Sequence, residues 1–271
     1  MTSTSTTARR TAFSIAVTAA LLCATACTGT GAPDDRPREE RATSAAPPPE
    51  LRAVERSTAR AGSARVESTT AMGRELSIEA VGALGWSDGL TGTLTITYTG
   101  GTTAETMREL GTTAMEARYL PDAYYARMGD GFAERAGGRH WIKYVYADLE
   151  GLGDGAGAGF AEQMRNTTPD RSVKLLLASE DLRKVGEETT RGKRTTHWTG
   201  TVGGTTAQTV DIWVDDRNLL VKKVERGRTA TGELTQTAYY SDYGVRVSAE
   251  RPPAGDTADF KELLQAHGDA S

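Results

Sequence analysis

Apolar and polar side chains alternate with a period of two through most of this chain from residue 64 onward. That is the repeat of a β-strand whose two faces meet different surroundings. The clearest stretch is 90–99. Leu90, Gly92, Leu94, Ile96 and Tyr98 fall on one face; Thr91, Thr93, Thr95, Thr97 and Thr99 fall on the other. One buried and one solvated face predict an antiparallel strand. Ala64, Val66 and Ser68 alternate with Arg65, Glu67 and Thr69, and Leu76, Ile78, Ala80, Gly82 and Leu84 alternate with polar or small neighbours. Further strands are predicted at 113–120, 123–128, 139–146, 183–190, 193–202, 207–215, 219–227, 233–241 and 244–249. Turn residues separate them: Ser87-Asp88-Gly89, Pro121-Asp122, Arg191-Gly192-Lys193, Gly203-Gly204, Asp215-Asp216-Arg217-Asn218 and Thr231-Gly232. The pattern is a long meander of hairpins.

Helical spacing interrupts the meander. Leu51, Val54, Thr58 and Ala61 recur at helical intervals over 50–61, behind Pro49. Thr102 and Glu105 are spaced as a capping box for a short helix over 102–110. Thr168-Pro169-Asp170 predicts an N-cap and a proline-started helix reaching about residue 179. A looser helix is expected within 147–164, and a last one with Asp256 as cap and Phe260, Leu263 and Leu264 on one face. There is no internal repeat. Something must cover the apolar face of so large a sheet. A second sheet, a closed barrel, or a curved sheet wrapped around the helices would each serve, and alternation alone does not choose.

The first 50 residues follow other rules. Arg9 and Arg10 precede an apolar run over 12–22, which ends in Ala24-Thr25-Ala26-Cys27. A positive start, a short apolar middle and small residues at a cleavage point make an export leader. The run is too short for a stable bilayer span. The box resembles a bacterial lipobox, with Ala24 in place of the usual leucine. That resemblance implies cleavage before Cys27 and a diacylglyceryl group on its sulfur. Sec and twin-arginine export both stay open. Residues 1–26 are therefore expected to be a signal peptide, 27–49 a lipidated disordered tether, and 50–271 a single domain. The tether ends in Ala45-Ala46-Pro47-Pro48-Pro49 and has no apolar periodicity. As a flexible chain it would span roughly 25 Å.

Composition narrows the chemistry further. Cleavage removes Cys23 and acylation occupies Cys27, the two cysteines of the chain, so no disulfide or thiolate chemistry is expected of the mature protein. Losing Arg9 and Arg10 moves the formal net charge from −4 to −6. A mildly acidic protein has no electrostatic case for nucleic acid, and membrane attachment falls to the acyl chains.

The C-terminal half carries a more specific pattern. Arg194-Thr195-Thr196-His197-Trp198-Thr199-Gly200-Thr201-Val202 leads to Val210-Asp211-Ile212-Trp213-Val214-Asp215-Asp216 and Leu219-Leu220-Val221-Lys222-Lys223. Tyr240-Ser241-Asp242-Tyr243-Gly244-Val245 and Arg251-Pro252-Pro253 close it. With the lipobox, tether and meander, this resembles the LolA-like lipoproteins of the LppX and LprG type, actinobacterial cell-envelope lipoproteins. The resemblance implies an α+β fold: a large curved antiparallel half-barrel wrapped around a few helices, several members of which hold lipid or glycolipid acyl chains in between. The expected function is a membrane-anchored carrier or scaffold for lipid or another hydrophobic ligand. The alternative is a non-catalytic envelope interaction or sensing lipoprotein with no transported ligand. On the carrier reading, Leu76, Ile78, Leu90, Leu94, Ile96 and Tyr98 line the cavity.

Catalytic signatures do not assemble. No Gly-x-Ser-x-Gly elbow occurs. His140, His197 and His267 lack metal-ligand spacing, so neither metal nor cofactor is expected. Adjacent carboxylates such as Asp215-Asp216 and Glu187-Glu188 point to opposite faces of a strand and do not form an acid–base pair. The glycine-rich 151–159 lacks the Lys-Ser or Lys-Thr of a phosphate cradle and reads as a loop. Tyr119, Tyr124, Tyr125, Trp141, Tyr144 and Tyr146 read first as sheet packing, with an amphipathic rim around a lipid opening as the alternative. Non-catalytic action is expected. The lipobox predicts that Cys27→Ser abolishes acylation and releases the protein from membranes. Retention of the variant after salt and carbonate washing would refute the anchor.

Overall fold

The computed structural model describes residues 48–151, 168–203, 207–229 and 232–268. The leader, Cys27, the tether up to residue 47 and most of the glycine-rich 151–159 lie outside the described residues, as does the His267 side chain. Helix α1 (Pro49–Ala61) opens the described chain. Strands β1 (Ser63–Met72), β2 (Leu76–Gly85) and β3 (Thr91–Gly100) follow, then α2 (Gly101–Glu109), β4 (Ala114–Tyr119), β5 (Ala123–Arg127), the short α3 (Asp130–Ala133), β6 (Trp141–Val145) and α4 (Tyr146–Glu150). The second half holds α5 (Pro169–Leu177), β7 (Arg183–Thr190), β8 (Lys193–Val202), β9 (Gln208–Asp215), β10 (Leu220–Thr229), β11 (Gly232–Ser241), β12 (Thr257–Asp259) and α6 (Phe260–Gly268).

The 12 strands of the described residues form one open sheet in the order β12-β6-β5-β4-β3-β2-β1-β11-β10-β9-β8-β7. It is two meanders of consecutive hairpins joined where β1 pairs with β11, Val66 opposite Tyr240. Every pair is antiparallel except β12 with β6. The registers carry the alternation of the sequence across the sheet. Ala80 lies opposite Ile96 and Ile96 opposite Met115, so the apolar sides of β2, β3 and β4 share one concave face. Val210, Ile212 and Val214 continue that face in β9 and are 0–5% exposed. The threonines of β3 take the other side, with Thr95 and Thr99 exposed. This is the curved sheet around helices rather than the sandwich or the barrel.

Helices α1 and α5 pack against each other and supply much of the cover. Leu51 and Val54 of α1 and Val173 and Leu176 of α5 are 0–2% exposed within the main core. The curl of the sheet has a local cause in β2 and β3. A Cβ on Gly82 would lie 2.1 Å from the Thr93 carbonyl oxygen, and one on Gly92 2.2 Å from that of Ala83. Glycine inside a strand permits such close backbone approach and a tight bend. Gly92 also has φ +141°, outside the comfortable range of other residues.

Several expectations need correction. The Thr102/Glu105 capping box does not form: the N-cap of α2 is Gly100, with no side-chain capping bond. The N–H groups of Thr102 and Thr103 instead donate to the carbonyls of Arg74 and Glu75, at 3.2 and 2.9 Å. Thr168 does hold the N-cap position of α5, again without a side-chain capping bond. Residues 244–249 form no strand. The chain after β11 runs as an extended strap along the convex side of β4 and β5. Arg118 donates to the Glu250 carbonyl at 2.9 Å, and Arg251 holds Asp122 at 2.9 Å and the Tyr125 hydroxyl. Pro252 and Pro253 lack the N–H groups a ladder needs. Asp256 does not cap α6. Its carboxylate accepts the His140 backbone N–H at 2.8 Å, and that bond leads the contacts with His140 that lower its pKa. Strand β12 intervenes, and Asp259 accepts the Lys261 N–H at 3.0 Å at the start of α6.

The close approach at Gly92 predicts that Gly92→Ala destabilises by about 1–3 kcal/mol, the cost of a strained backbone position. Gly186→Ala, with nothing within 4 Å of its added carbon, should stay within about 0.5 kcal/mol. Urea unfolding of both variants checks this; equal stabilities would show that β2 and β3 do not depend on that approach.

Candidate functional site

The six residues expected to line a cavity all lie on the concave side of β2 and β3, but they do not share one space. Leu94 and Ile96 are 3% and 8% exposed and packed within the main core, where Ile78 and Met115 join them. Leu76, Ile78 and Tyr98 are half-buried at the far end, where the Tyr98 hydroxyl donates to Met115 Sδ at 3.3 Å. Leu90 sits at the opposite end and borders an open cleft of about 650 Å³.

Turns and helix starts build this cleft. The β2–β3 connection contributes Trp86 and Leu90, the β4–β5 turn Pro121 and Asp122, the end of β6 and the start of α4 Val145, Tyr146 and Ala147, and the start of α5 Asp170, Arg171 and Lys174. Hairpins of one meander return to the same end at every second turn, which is why these segments meet. Trp86 is fixed from two sides: Nε1 donates to the Thr58 carbonyl at 3.2 Å, and the ring meets Tyr243 edge-on at 6.3 Å. Arg251 clamps Asp122 through both carboxylate oxygens at 2.9 Å. Asp170 is buried and 3.7 Å from Lys174. The walls are mixed: Trp86, Leu90, Pro121, Val145 and Tyr146 are apolar, the buried Thr168 and Asp170 are polar, and Asp122, Glu150, Arg171 and Lys174 add charge of both signs. Among these residues Leu90 is the one expected to line the cavity, and Tyr146 belongs to the rings of the alternative rim. Pro121-Asp122 and Thr168-Pro169-Asp170 were legible as a turn and a helix start, and the convergence of such punctuation at one end is the signal for the site.

Two polar features stand on the concave face. Lys223 of β10 is 2% exposed, 3.0 Å from Glu225 and 3.5 Å from Gln236 Oε1; Gln236 in turn donates to Thr70 at 3.3 Å. Burial lowers the Lys223 pKa, but Tyr240 and Glu225 outweigh it and the net shift is upward from 10.5. The lysine is therefore charged at neutral pH and held by partners, as burial demands. The second feature is a row of rings across β4, β5, β6 and α6: Tyr119–Tyr124 at 5.1 Å, Tyr124–Tyr144 at 5.6 Å and Tyr144–Phe260 at 4.6 Å. Burial pushes the Tyr119 and Tyr124 hydroxyls well up and that of Tyr144 to about 12. Tyr125 and Trp141 belong to the convex face, where Arg118 lies 4.5 Å from the Trp141 ring.

Among the described residues no three His, Cys, Asp or Glu side chains gather as a metal site. His197 stacks on Trp213 at 4.3 Å on the convex face and meets Asp211 at 2.8 Å.

An open antiparallel sheet, curled around helices and entered by a cleft at one end, defines the half-barrel class. The chain belongs to the family of the Streptomyces coelicolor protein described as "Putative lipoprotein SCO4650", with which it is 74% identical over 283 residues, covering 98% of this chain and 99% of the relative. The Streptomyces griseus "Uncharacterized 31.2 kDa protein in rplA-rplJ intergenic region" is 46% identical over 251 residues, 83% of this chain and 82% of that one. Among solved structures, the Mycobacterium tuberculosis lipoprotein LppX is 17% identical with a TM-score of 0.47, covering 74% of this chain and 99% of that chain. At that overlap the likeness carries no functional weight. No family model matches the chain.

Breaking a buried ion pair by removing one partner costs about 3–5 kcal/mol when both are deeply buried. Glu225 is only partly buried, so Lys223→Met should cost about 2–3 kcal/mol. Lys223→Met with Glu225→Leu should recover most of that loss in chemical denaturation. Because the lysine pKa is raised in the folded state, its contribution is complete at neutral pH and fades only above pH 10.5. A neutral single variant would show that the pair supports nothing.

Proposed function

We propose that this chain is a lipid-anchored lipoprotein of the extracytoplasmic face of the cell membrane, attached through diacylglyceryl-Cys27, that binds a lipid or other hydrophobic ligand without catalysis. The observation that carries the reading is the cleft of about 650 Å³, with Trp86, Leu90, Val145 and Tyr146 on its walls and charge at its rim. Small-molecule sites fall at roughly 300–1,000 Å³, mostly apolar with a few placed polar groups. Each acyl methylene buried there contributes about 0.8 kcal/mol, so affinity follows chain length rather than specific contacts. Asp122, Arg171 and Lys174 at the rim suit the polar end of an amphiphile. The ligand enters at the cleft and not against Ile96, whose surroundings are filled.

The filled core around Leu94 and Ile96 favours a second reading, a non-catalytic envelope interaction or sensing lipoprotein that transports nothing. One comparison separates the two. The Cys27→Ser full chain, purified after export, is examined by native mass spectrometry for co-purifying lipid. On the carrier reading it retains lipid, and Ala147→Trp, placed on an exposed cleft residue, lowers the loaded fraction severalfold with unchanged circular dichroism. Ile96→Trp should instead destabilise by roughly 1–3 kcal/mol through overpacking. A chain that carries no lipid, and to which added fatty acid does not bind, contradicts the carrier reading and leaves the second.

A further inference from the structure

Strand β7 ends the sheet at its second edge, next to β8 alone. Seven of its eight residues are not buried. Its sequence reads Arg183-Lys184-Val185-Gly186-Glu187-Glu188, two cations, a pivot and two anions. Among the described residues the side chains of Arg183, Lys184 and Glu187 have no ion-pair or hydrogen-bond partner, whereas Glu188 accepts from Trp213 Nε1 and lies 3.5 Å from His197 Nδ1 through Oε1, with half of its side chain exposed. Val185 is 54% exposed, one of four exposed large hydrophobics among the described residues.

We infer that β7 pairs edge to edge with β7 of a second copy, antiparallel, about a two-fold axis through Val185–Gly186. The register makes this possible. In an unbroken strand Arg183 and Glu188, five apart, would point to opposite faces and could not lie opposite each other in an antiparallel pair. The pairing with β8 slips between Lys184 and Gly186. Across that bulge Arg183 faces Thr199 and Glu188 faces Thr195, four residues apart on β8, so both lie on the convex face in the same hydrogen-bonding phase. Lys184 and Glu187, opposite Trp198 and Thr196, lie likewise on the concave face.

A two-fold through the bulge therefore sets Arg183 against the partner copy's Glu188 and Lys184 against its Glu187, each twice. The unpaired N–H and C=O groups of the edge are satisfied in the same step. Bulges and charges often blunt an edge against association. Here the charges are antisymmetric about the bulge, which turns the same features into a self-complementary pattern. Exposed ion pairs are individually weak and salt-screened, so the association should be reversible and favoured at low ionic strength.

Cysteine cross-linking in the membrane-anchored full-length protein tests this directly. Val185→Cys, at the axis, should form a disulfide-linked dimer on mild oxidation. Val81→Cys, equally exposed at 56% but at mid-sheet, serves as the collision control. In the Val185→Cys background, Lys184→Glu alone and Glu187→Lys alone each place like charges opposite one another and should cut cross-linking about tenfold. Co-expressing the two restores it, as a heterodimer distinguishable by differential tags. Both substitutions are on exposed side chains, so folding is not at stake. Cross-linking of Val185→Cys no greater than that of Val81→Cys overturns the proposal. So does charge reversal without effect, or failure of the mixed pair to recover.

Discussion

A single sheet of 12 strands with one apolar face must hide that face without a second sheet and without closing. Everything else in this protein follows from how it does so. The sheet curls, the strands crowding backbone to backbone at Gly82 and Gly92. The concave face then packs partly on itself, Met115 opposite Ile96 and Ile78 opposite Tyr98 beside the main core, and partly on α1 and α5. Two helices and a curled sheet do not cover both ends alike. The middle is filled, and the end where the β2–β3 and β4–β5 turns meet the start of α5 stays open as a cleft. Among the described residues the cleft is placed by topology rather than by a dedicated motif.

The convex face solves a different problem. It presents large rings. Lys222 lies 3.9 Å from the Trp213 ring and Arg191 3.7 Å from that of Tyr239. Such cations shield aromatic surface while keeping their charge in water. On β5 and β6 the same task falls to the strap, with Arg251 reaching Asp122 and Tyr125. That clamp also fixes one side of the cleft rim, so the two faces of the sheet are coupled at the site. The edges are handled separately, β12 by its continuation into α6, and β7 only by its bulge and charges.

Much of the fold was legible because period-two alternation is a backbone property. The β1–β11 boundaries follow it within a few residues, and the helices α1 and α5 follow from spacing and proline, while α2 forms where a capping box was expected but without that box. The errors share a cause. The 244–249 segment alternates like a strand, but its Val245 carbonyl accepts from the Ser63 hydroxyl at 2.7 Å and the carbonyl of the next residue, Glu250, from the Arg118 guanidinium at 2.9 Å, and no local pattern reports such distant contacts. Asp256 looked like a helix cap because carboxylates favour that position; its actual partner, His140, is 116 residues away. Strand β12 is only three residues long and pairs in parallel, beneath what alternation can signal. The concave face itself could be read from Leu76 to Tyr98, whereas which part of it stays open depends on how α1 and α5 dock. Cleft residues such as Trp86 and Arg171 therefore carried no mark of their own.

The central claim is that ligand space in this half-barrel lies at the turn end and not within the core beside Ile96. Amide hydrogen exchange of the Cys27→Ser chain, with and without a long-chain fatty acid, tests it most directly. The account predicts added protection in residues 86–90, 145–150 and 168–174, and none in residues 94–98. Protection gained at 94–98, with the turn end unchanged, would mean that the core opens to admit the chain and would contradict the account.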